Sequence, residues 1–309
     1  MTSGAAPLDD RGDGPRHPED LEGYDADDRW DAAWADPEDP DATGGREDPD
    51  VVEAGSPEAG WPPLPTPGLD APAALELLRD GRLELVGRLV ASSNNAMVGT
   101  VSVTHPDRGE ILAPCVYKPV AGERPLWDFP DGTLARREVA AHVLSEAGGW
   151  GIVPPTVLRD GPFGPGMVQL WIRPDDAIDA VALVVEGDER LRPIAIFDAV
   201  ANNADRKIGH LLPMPDGHVL GVDHGICFHV ESKLRTVLWQ WRGTPLTDAE
   251  LATLHRLRAE LDGPLGEELL SLLSPAEVRA LGRRLRRLAA DGCFPQPDPD
   301  RPAIPWPPY

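Results

Sequence analysis

The sequence predicts an α+β fold in which an antiparallel sheet comes first and a mainly helical part follows. Strand-like segments rich in Val, Leu and Ile, separated by turn residues, fill the first half of the region between the two tails. Segments with apolar residues at three- and four-residue spacing fill the second half. Strands and helices do not alternate, and no GxGxxG sequence is present, so a parallel nucleotide-binding sheet is not expected.

Within residues 71–172, a short helix at Pro72–Arg79 is expected to precede the strands, with proline in its first turn. A longer helix at Leu134–Ala147 follows the third strand and is ended by two glycines. Turn residues separate the strands, which predicts a mostly antiparallel sheet with one inserted helix. The predicted strands are Leu83–Val90, Met97–Thr104, Ile111–Lys118, Thr156–Arg159 and Met167–Ile172.

Residues 173–294 are predicted to be mainly helical. A helix is expected at Pro193–Ala201, and a hairpin with a Pro-Asp-Gly turn over Leu211–Cys227. Two capping boxes, Thr247–Glu250 and Ser274–Glu277, are typical of helix starts. The last helix carries five arginines, for which a solvated polar face is favoured over a site for an anionic partner.

The N-terminal residues 1–70 differ from the rest of the chain. They hold 20 acidic and 4 basic side chains, 11 Pro and 9 Gly, without apolar periodicity. Burial of so few apolar groups does not offset the entropy of ordering, so a disordered acidic tail is predicted. The alternative is an interaction tail that binds a protein partner through Trp30, Trp34 and Trp61.

The C-terminal residues 295–309 contain 7 Pro and should be extended. The segment either drapes over the domain, with Trp306 and Tyr309 in grooves, or is a free tail. Draping is the favoured interpretation, because it gives both aromatic side chains a role.

The formal net charge of −23 argues against a nucleic-acid binder, since such proteins present a basic surface. No apolar stretch approaches the ~20 residues that a transmembrane helix needs, and the N-terminus lacks the apolar segment of a secretory signal. The three cysteines are far apart and form no CxxC, so neither a disulfide framework nor a zinc knuckle is indicated. A cytoplasmic protein is expected.

Four residues supply the groups that phosphoryl transfer needs, and they follow one another in the order of a kinase layout. Lys118 ends a strand and Glu138 lies early in the next helix. Asp205 follows a later helix, and Asp223 comes eighteen residues after it, beyond the hairpin turn. A lysine neutralises phosphate oxygens, a carboxylate holds that lysine, and further carboxylates bind magnesium and orient the acceptor hydroxyl. Each residue alone also fits an ordinary structural role, but their order together favours a kinase layout.

Two short motifs carry a family resemblance over about residues 83–290. Asp205-Arg206-Lys207 matches a catalytic loop, and Asp223-His224-Gly225 matches an Asp-x-Gly metal motif. The chain resembles the phosphatidylinositol 3-/4-kinase-like branch of the protein-kinase-like fold, with its HipA-type bacterial relatives, and an actinobacterial family described as kinase-like. This resemblance implies a two-lobed fold, with an N-lobe over 71–172 and a C-lobe over 173–294.

The resemblance also implies site roles. Asp205 would be the catalytic carboxylate, with Lys207 beside it to attract a phosphate, and Asp223 the magnesium ligand. Lys118 would contact ATP phosphates, with Glu138 as its ion-pair partner. The loop Ser92–Gly99 would cover the phosphates and Gln169–Trp171 would be the adenine-contacting hinge. The remaining implied nucleotide-binding residues are Ser92, Ser93, Asn94, Asn95, Gln169 and Trp171.

The chain departs from the family pattern at His210. An asparagine is expected five residues after the catalytic aspartate, where its oxygen binds Mg²⁺. A histidine nitrogen suits Mn²⁺ or Zn²⁺ better, so His210 would either ligate a different ion or only orient Asp223 or a water. It also raises the alternative that activity is weakened or lost.

The function that these residues predict is ATP- and Mg²⁺-dependent phosphotransfer (with Mn²⁺ as the alternative ion) to a hydroxyl of a lipid, a protein or a small molecule. One alternative is an inactive pseudokinase that binds nucleotide or acts as a scaffold, and another is an interaction protein that works through its tails. A zinc hydrolase is disfavoured because the histidine spacings match no usual ligand pair. A serine hydrolase is disfavoured because no GxSxG is present.

Overall fold

The computed structural model describes residues 65–66, 69–89 and 95–309. The predicted acidic tail lies almost entirely outside these residues, and so do Trp30, Trp34 and Trp61. The predicted fold class is confirmed, because an antiparallel sheet is followed by a mainly helical part. The lobe boundary at residue 172 stays a prediction. Within the described ranges, no helix has the length and apolar character needed to cross a bilayer.

The sheet has five strands in the order β1-β2-β3-β5-β4, and every pair in it is antiparallel. Chain-neighbouring strands pair directly, as the turn residues between them predict. The exception is β3, which pairs with β5 after the inserted helix, and this pairing sets Lys118 opposite Met167. The strands are β1 (Arg82–Arg88), β2 (Met97–His105), β3 (Gly109–Pro119), β4 (Thr156–Gly161) and β5 (Gly164–Leu170).

A helix packs on each face of the sheet. Helix α1 (Ala71–Asp80) begins at Asp70, whose carboxylate accepts a hydrogen bond from the Ala73 N–H at 2.9 Å. Its buried leucines contact the face formed by alternate residues of β3, such as Tyr117. Helix α2 (Leu134–Gly148) packs against the other face near Met167 and ends at a glycine in the left-handed conformation. Because side chains alternate along a strand, Lys118 points to the α2 side.

The second part of the chain contains five helices among the described residues. Both predicted capping boxes are present, at Thr247–Glu250 and Ser274–Glu277. Two of the helices were not predicted, although one has the usual Asp179 N-cap and Gly187 C-cap. The helices are α3 (Ala180–Glu186), α4 (Arg192–Ala201), α5 (Asp248–Glu260), α6 (Pro264–Leu272) and α7 (Pro275–Asp291).

The arginines of α7 have two different surroundings. Arg284 lies against the core and donates hydrogen bonds to the carbonyl oxygens of Val200 and His229, at 2.8 and 3.1 Å. The other four are exposed, as expected for a solvated face: Arg279, Arg283, Arg286 and Arg287.

The predicted hairpin is shorter than Leu211–Cys227. Its strands are β6 (Leu211–Pro213) and β7 (Val219–Gly221), joined by the predicted Pro-Asp-Gly turn. Beyond β7 the chain leaves the ladder, because Asp223 adopts φ 62°, a left-handed conformation that ends a strand. That turn brings the residues after it toward α2.

The C-terminal segment drapes over the helical part, as favoured. Its backbone makes the contacts: the Pro308 carbonyl accepts from the Ile208 N–H at 2.8 Å, and the Ala303 carbonyl accepts from the Thr236 N–H at 3.0 Å. The prediction that Trp306 and Tyr309 fill grooves is wrong, since they are 62% and 71% exposed. Main-chain hydrogen bonds and buried proline, rather than aromatic anchors, hold this segment.

Candidate functional site

Three of the predicted site residues meet in one cluster. The Lys118 Nζ donates to Glu138 Oε1 at 2.7 Å and to Asp223 Oδ1 at 2.8 Å. Strand β3 supplies the lysine, helix α2 the glutamate, and the turn after β7 the aspartate. Residues separated by up to 105 positions are thereby joined at the interface between the sheet and the helical part.

The charges of this cluster are stabilised by one another. Burial alone would lower the pKa of the Lys118 ammonium, but the carboxylates of Asp223 and Glu138 outweigh burial and raise it above its usual value. The charge of Lys118 is the largest cause that lowers the pKa of Asp223 below its usual value, and burial opposes it. Lysine and aspartate are therefore both charged at neutral pH, as phosphate and metal binding require.

Glu138 also holds the metal motif in place. Its second oxygen, Oε2, accepts a hydrogen bond from the backbone N–H of His224 at 2.8 Å, and its side chain is only 2% exposed. One carboxylate therefore positions both the lysine and the residue after Asp223. Asp223 itself is 43% exposed, so its carboxylate stays accessible from outside the cluster.

The loop after α4 is organised around Asp205. The Asn203 side-chain oxygen accepts from the Asp205 N–H at 3.0 Å and so supports the loop backbone. The Lys207 Nζ lies 3.6 Å from Asp205 Oδ2. Burial is the largest cause that raises the pKa of Asp205, while the charge of Lys207 lowers it. A carboxylate of raised pKa is a better proton acceptor than an ordinary aspartate.

A buried ion pair that was not predicted from the sequence lies beneath this loop. Asp198 and Arg206 are both inaccessible to solvent, and the Arg206 Nη2 lies 2.9 Å from Asp198 Oδ1. Arg206 also donates to the Val222 carbonyl at 3.1 Å and contacts His224 Nε2 at 2.7 Å. The pair therefore ties the Asp205 loop to the Asp223 motif. The available signal was Asp198, an acidic residue in the last turn of a predicted helix and seven residues before Asp205.

His210 lies beside the metal motif, with its Nε2 3.5 Å from Asp223 Oδ2. Burial is the largest cause that lowers the pKa of His210, to about 4, so the imidazole is neutral at neutral pH. Its Nδ1 accepts the Lys207 N–H at 3.4 Å. A neutral ring whose Nδ1 accepts a hydrogen bond carries its proton on Nε2. The Nε2–H of that ring lies 3.5 Å from Asp223 Oδ2, without a hydrogen bond between the two groups.

One residue of the predicted phosphate loop is placed at this site. Asn95 lines a small cavity together with Lys118, Glu138 and Gly225. Its side-chain oxygen is buried and has no hydrogen-bond partner among the described residues. The other predicted loop residues, Ser92, Ser93 and Asn94, lie outside the described residues.

The predicted hinge, Gln169–Trp171, begins at the end of β5. Gln169 lies on the same sheet face as Lys118, but its side chain is buried and its Nε2 donates to Thr156 Oγ1 at 2.8 Å. The side-chain amide of Gln169 is thus already engaged inside the fold. The Trp171 N–H donates to the Pro114 carbonyl at 2.9 Å. A role of the 169–171 backbone as a hinge stays a prediction.

The donor set fits one magnesium ion. Within 65–66, 69–89 and 95–309, no group of three or more His, Cys, Asp or Glu side chains is arranged to hold a metal by itself. Mg²⁺ is often bound by one or two carboxylates together with substrate phosphates, and it keeps several waters. Asp223, exposed and charged, is the residue that would hold it. The bound ion would neutralise phosphate charge.

Three solved structures are among those similar to this chain. The Golgi casein kinase is 15% identical, with a TM-score of 0.47 over 72% of this chain and 74% of that chain. Hydra Fam20 with sugar is 15% identical, with a TM-score of 0.45 over 72% of this chain and 88% of that chain. The Helicobacter pylori proinflammatory kinase CtkA is 13% identical, with a TM-score of 0.36 over 70% of this chain and 94% of that chain. These likenesses concern the fold alone.

Comparison of sequences identifies a much nearer relative. No protein-family model matches the chain. Protein Rv2133c of Mycobacterium tuberculosis (strain ATCC 25618 / H37Rv) is 43% identical over 268 residues, which cover 75% of this chain and 94% of the relative. The chain therefore belongs to the same family as Protein Rv2133c.

Proposed function

We propose that the protein is an ATP-dependent phosphotransferase that uses Mg²⁺ and transfers the γ-phosphoryl group to a hydroxyl. The observation that carries the proposal is the Lys118–Glu138–Asp223 cluster, with Lys118 Nζ 2.7 and 2.8 Å from the two carboxylates. A lysine held between a helix glutamate and a metal-binding aspartate is an arrangement that protein kinases use. The sequence resemblance to the phosphatidylinositol 3-/4-kinase-like branch supports the same reaction class.

Asp205 is the proposed catalytic residue. Its carboxylate accepts the hydroxyl proton while the acceptor oxygen bonds to the γ-phosphorus and the bond from that phosphorus to ADP breaks. Lys207, 3.6 Å away, stabilises negative charge beside the reacting groups. A lipid, a protein or a small molecule can carry the hydroxyl. The proposal includes a cytoplasmic location, where ATP is available.

Removing the Lys118 charge should weaken nucleotide binding. In Lys118→Met, the apparent Kd for Mg²⁺·ATP should rise at least about tenfold, because one charge-assisted phosphate contact contributes on the order of 1.5–3 kcal/mol. Isothermal titration calorimetry measures this. The exposed Arg287→Met is the matched control, since its side chain is 84% exposed on α7. Equal affinity in wild type and Lys118→Met would contradict the assignment of Lys118.

His210 should not confer a preference for manganese. Because the Lys207 N–H occupies Nδ1 and the ring proton is therefore on Nε2, 3.5 Å from Asp223 Oδ2, the imidazole has no free lone pair with which to bind the ion. We expect the ATP affinities measured in Mg²⁺ and in Mn²⁺ to agree within about threefold, which corresponds to less than about 1 kcal/mol of binding free energy. Titration of wild type and His210→Ala with each ion measures this. A tenfold preference for Mn²⁺ that disappears in His210→Ala would place the imidazole in the coordination shell.

A second candidate is a nucleotide-binding pseudokinase. It is favoured by one observation, the histidine at position 210 where the related catalytic loops have a metal-binding asparagine. Such a protein would bind Mg²⁺·ATP through Lys118 and Asp223 but would transfer no phosphate. Turnover that depends on Asp205 separates the two candidates.

A further inference from the structure

A second, larger cavity of about 540 Å³ lies beside the Asp205 loop. Its walls come from four parts of the chain: the segment before α2, the Asp205 loop, the irregular segment after the β6–β7 hairpin, and the draped C-terminal segment. Among its lining residues are Trp127, Ala204, Lys233, Arg235, Trp239 and Arg301. Its volume is in the range of sites that hold small molecules.

The cavity touches the catalytic loop. Ala204, which immediately precedes Asp205, forms part of its wall. Arg235 contacts this residue directly, since its Nε donates a hydrogen bond to the Ala204 carbonyl at 2.7 Å. The charge of Arg235 also reaches Asp205, whose pKa it lowers, although burial and Lys207 have larger effects. A molecule in the cavity that contacts Arg235 is therefore close to the proposed proton acceptor.

Most charges that line the cavity are already compensated. Lys233 forms an ion pair with Asp128. Arg301 lies 3.7 Å from Glu231 and 3.9 Å from Asp298. Arg235 differs, because no carboxylate in the described part of the chain forms an ion pair with it and only its Nε has a hydrogen-bond partner there. A half-buried guanidinium with free terminal nitrogens fits a carboxylate or a phosphate.

Two tryptophans also line the cavity. Trp127 is 94% exposed, and its ring lies 4.9 Å from the Lys233 Nζ. Trp239, which is half-buried, is fixed by a hydrogen bond from its Nε1 to the Ala303 carbonyl at 2.9 Å. A large exposed indole at this half-open cavity offers an apolar surface against which a ligand can pack.

We propose that this cavity binds the phosphoryl acceptor, and that the acceptor is a small molecule with a hydroxyl and an anionic group, phosphate or carboxylate, that Arg235 binds. The inference rests on the proposed function, because Asp205 must act on the hydroxyl. The anion at Arg235 orients the acceptor so that its hydroxyl faces Asp205. Arg235 is thus a substrate-binding residue that determines the class of acceptor.

The test uses the full chain, labelled with [¹⁵N]arginine and saturated with Mg²⁺ and a non-hydrolysable ATP analogue, so that probe anions do not occupy the nucleotide site. Inorganic phosphate, acetate and neutral glycerol are titrated separately. The guanidinium NMR signal of Arg235 is identified as the signal that is absent in Arg235→Gln. In wild type, this signal should shift saturably with phosphate or acetate and should not shift with glycerol. Calorimetric affinity for the effective anion should fall at least about tenfold in Arg235→Gln, as expected for loss of a charge-assisted contact, and stay unchanged in Arg287→Gln. The anion that binds tighter separates a phosphate-bearing from a carboxylate-bearing acceptor.

Several results would overturn the inference. The inference is wrong if neither anion shifts the Arg235 signal, or if both anions bind to Arg235→Gln as tightly as to wild type. Phosphorylation of proteins or phosphatidylinositol vesicles, with no competition by either anion, would also overturn it. Failure of the ATP analogue to bind would instead refute the proposed function. Binding of the analogue is measured in the same samples before any anion is added.

Discussion

Asp205→Asn should reduce phosphotransfer at least about 10³-fold, within the range by which positioned acid–base groups accelerate reactions. Asparagine keeps the size of the side chain and cannot accept the hydroxyl proton. The nucleotide site should be intact, because the loop backbone is held by Asn203 and by the buried Asp198–Arg206 pair and not by the Asp205 carboxylate. The affinity for Mg²⁺·ATP should therefore stay within about threefold of wild type, which is less than 1 kcal/mol.

Two readouts check this expectation. ADP release in a coupled assay measures turnover with the acceptors tested, and calorimetry measures ATP binding. Asp262→Asn, on an exposed side chain at the end of α5, is the matched control and should leave both unchanged. Normal turnover in Asp205→Asn would show that this residue is not the proton acceptor.

The largest loss of stability is expected from Asp198→Ala, at about 3–5 kcal/mol of the free energy of unfolding, as for other buried ion pairs that lose one partner. The Asp198 carboxylate accepts from Arg206, Asn203 and Thr236, and all four side chains are buried. Without it, a guanidinium remains in the interior with no opposite charge. The same loss should loosen the Asp205 loop and the Asp223 motif together.

Urea denaturation measures the free energy of unfolding. The matched control is Asp291→Ala, whose carboxylate is 55% exposed in a surface pair with Arg287 and should change stability by no more than about 0.5 kcal/mol. A loss in Asp198→Ala no larger than that of the control would mean that the buried pair is not what holds the two motifs.

Local signals predicted most of the fold. The Thr247 and Ser274 capping boxes mark the starts of α5 and α7, because cap hydrogen bonds lie within three residues along the chain. The strands before Lys118 were predictable for a similar reason, since turn residues between apolar runs fix antiparallel neighbours. The order of Lys118, Glu138 and Asp223 along these elements was enough to anticipate one cluster.

Contacts between distant residues could not be predicted in the same way. Arg137, next to Glu138 in α2, forms a buried ion pair with Glu277 of α7, 140 residues away. Nothing local distinguishes Arg137 from its exposed neighbour Arg136. The cavity at Arg235 also depends on the C-terminal segment, whose path over the helical part is set by main-chain hydrogen bonds that composition does not encode.

The central claim is that Lys118, Glu138 and Asp223 form a site for metal-bound ATP. A thermal unfolding experiment with ATP, with and without Mg²⁺, on wild type and Asp223→Asn tests it most directly. Asparagine tolerates the left-handed conformation of this position and removes only the charge. At ATP near 100 times Kd, wild type should gain about 2.7 kcal/mol, a rise in Tm of about 5–10 °C. That rise should need Mg²⁺ and should be lost in Asp223→Asn. An equal rise without Mg²⁺ or in the variant, or no rise in wild type, would contradict the claim.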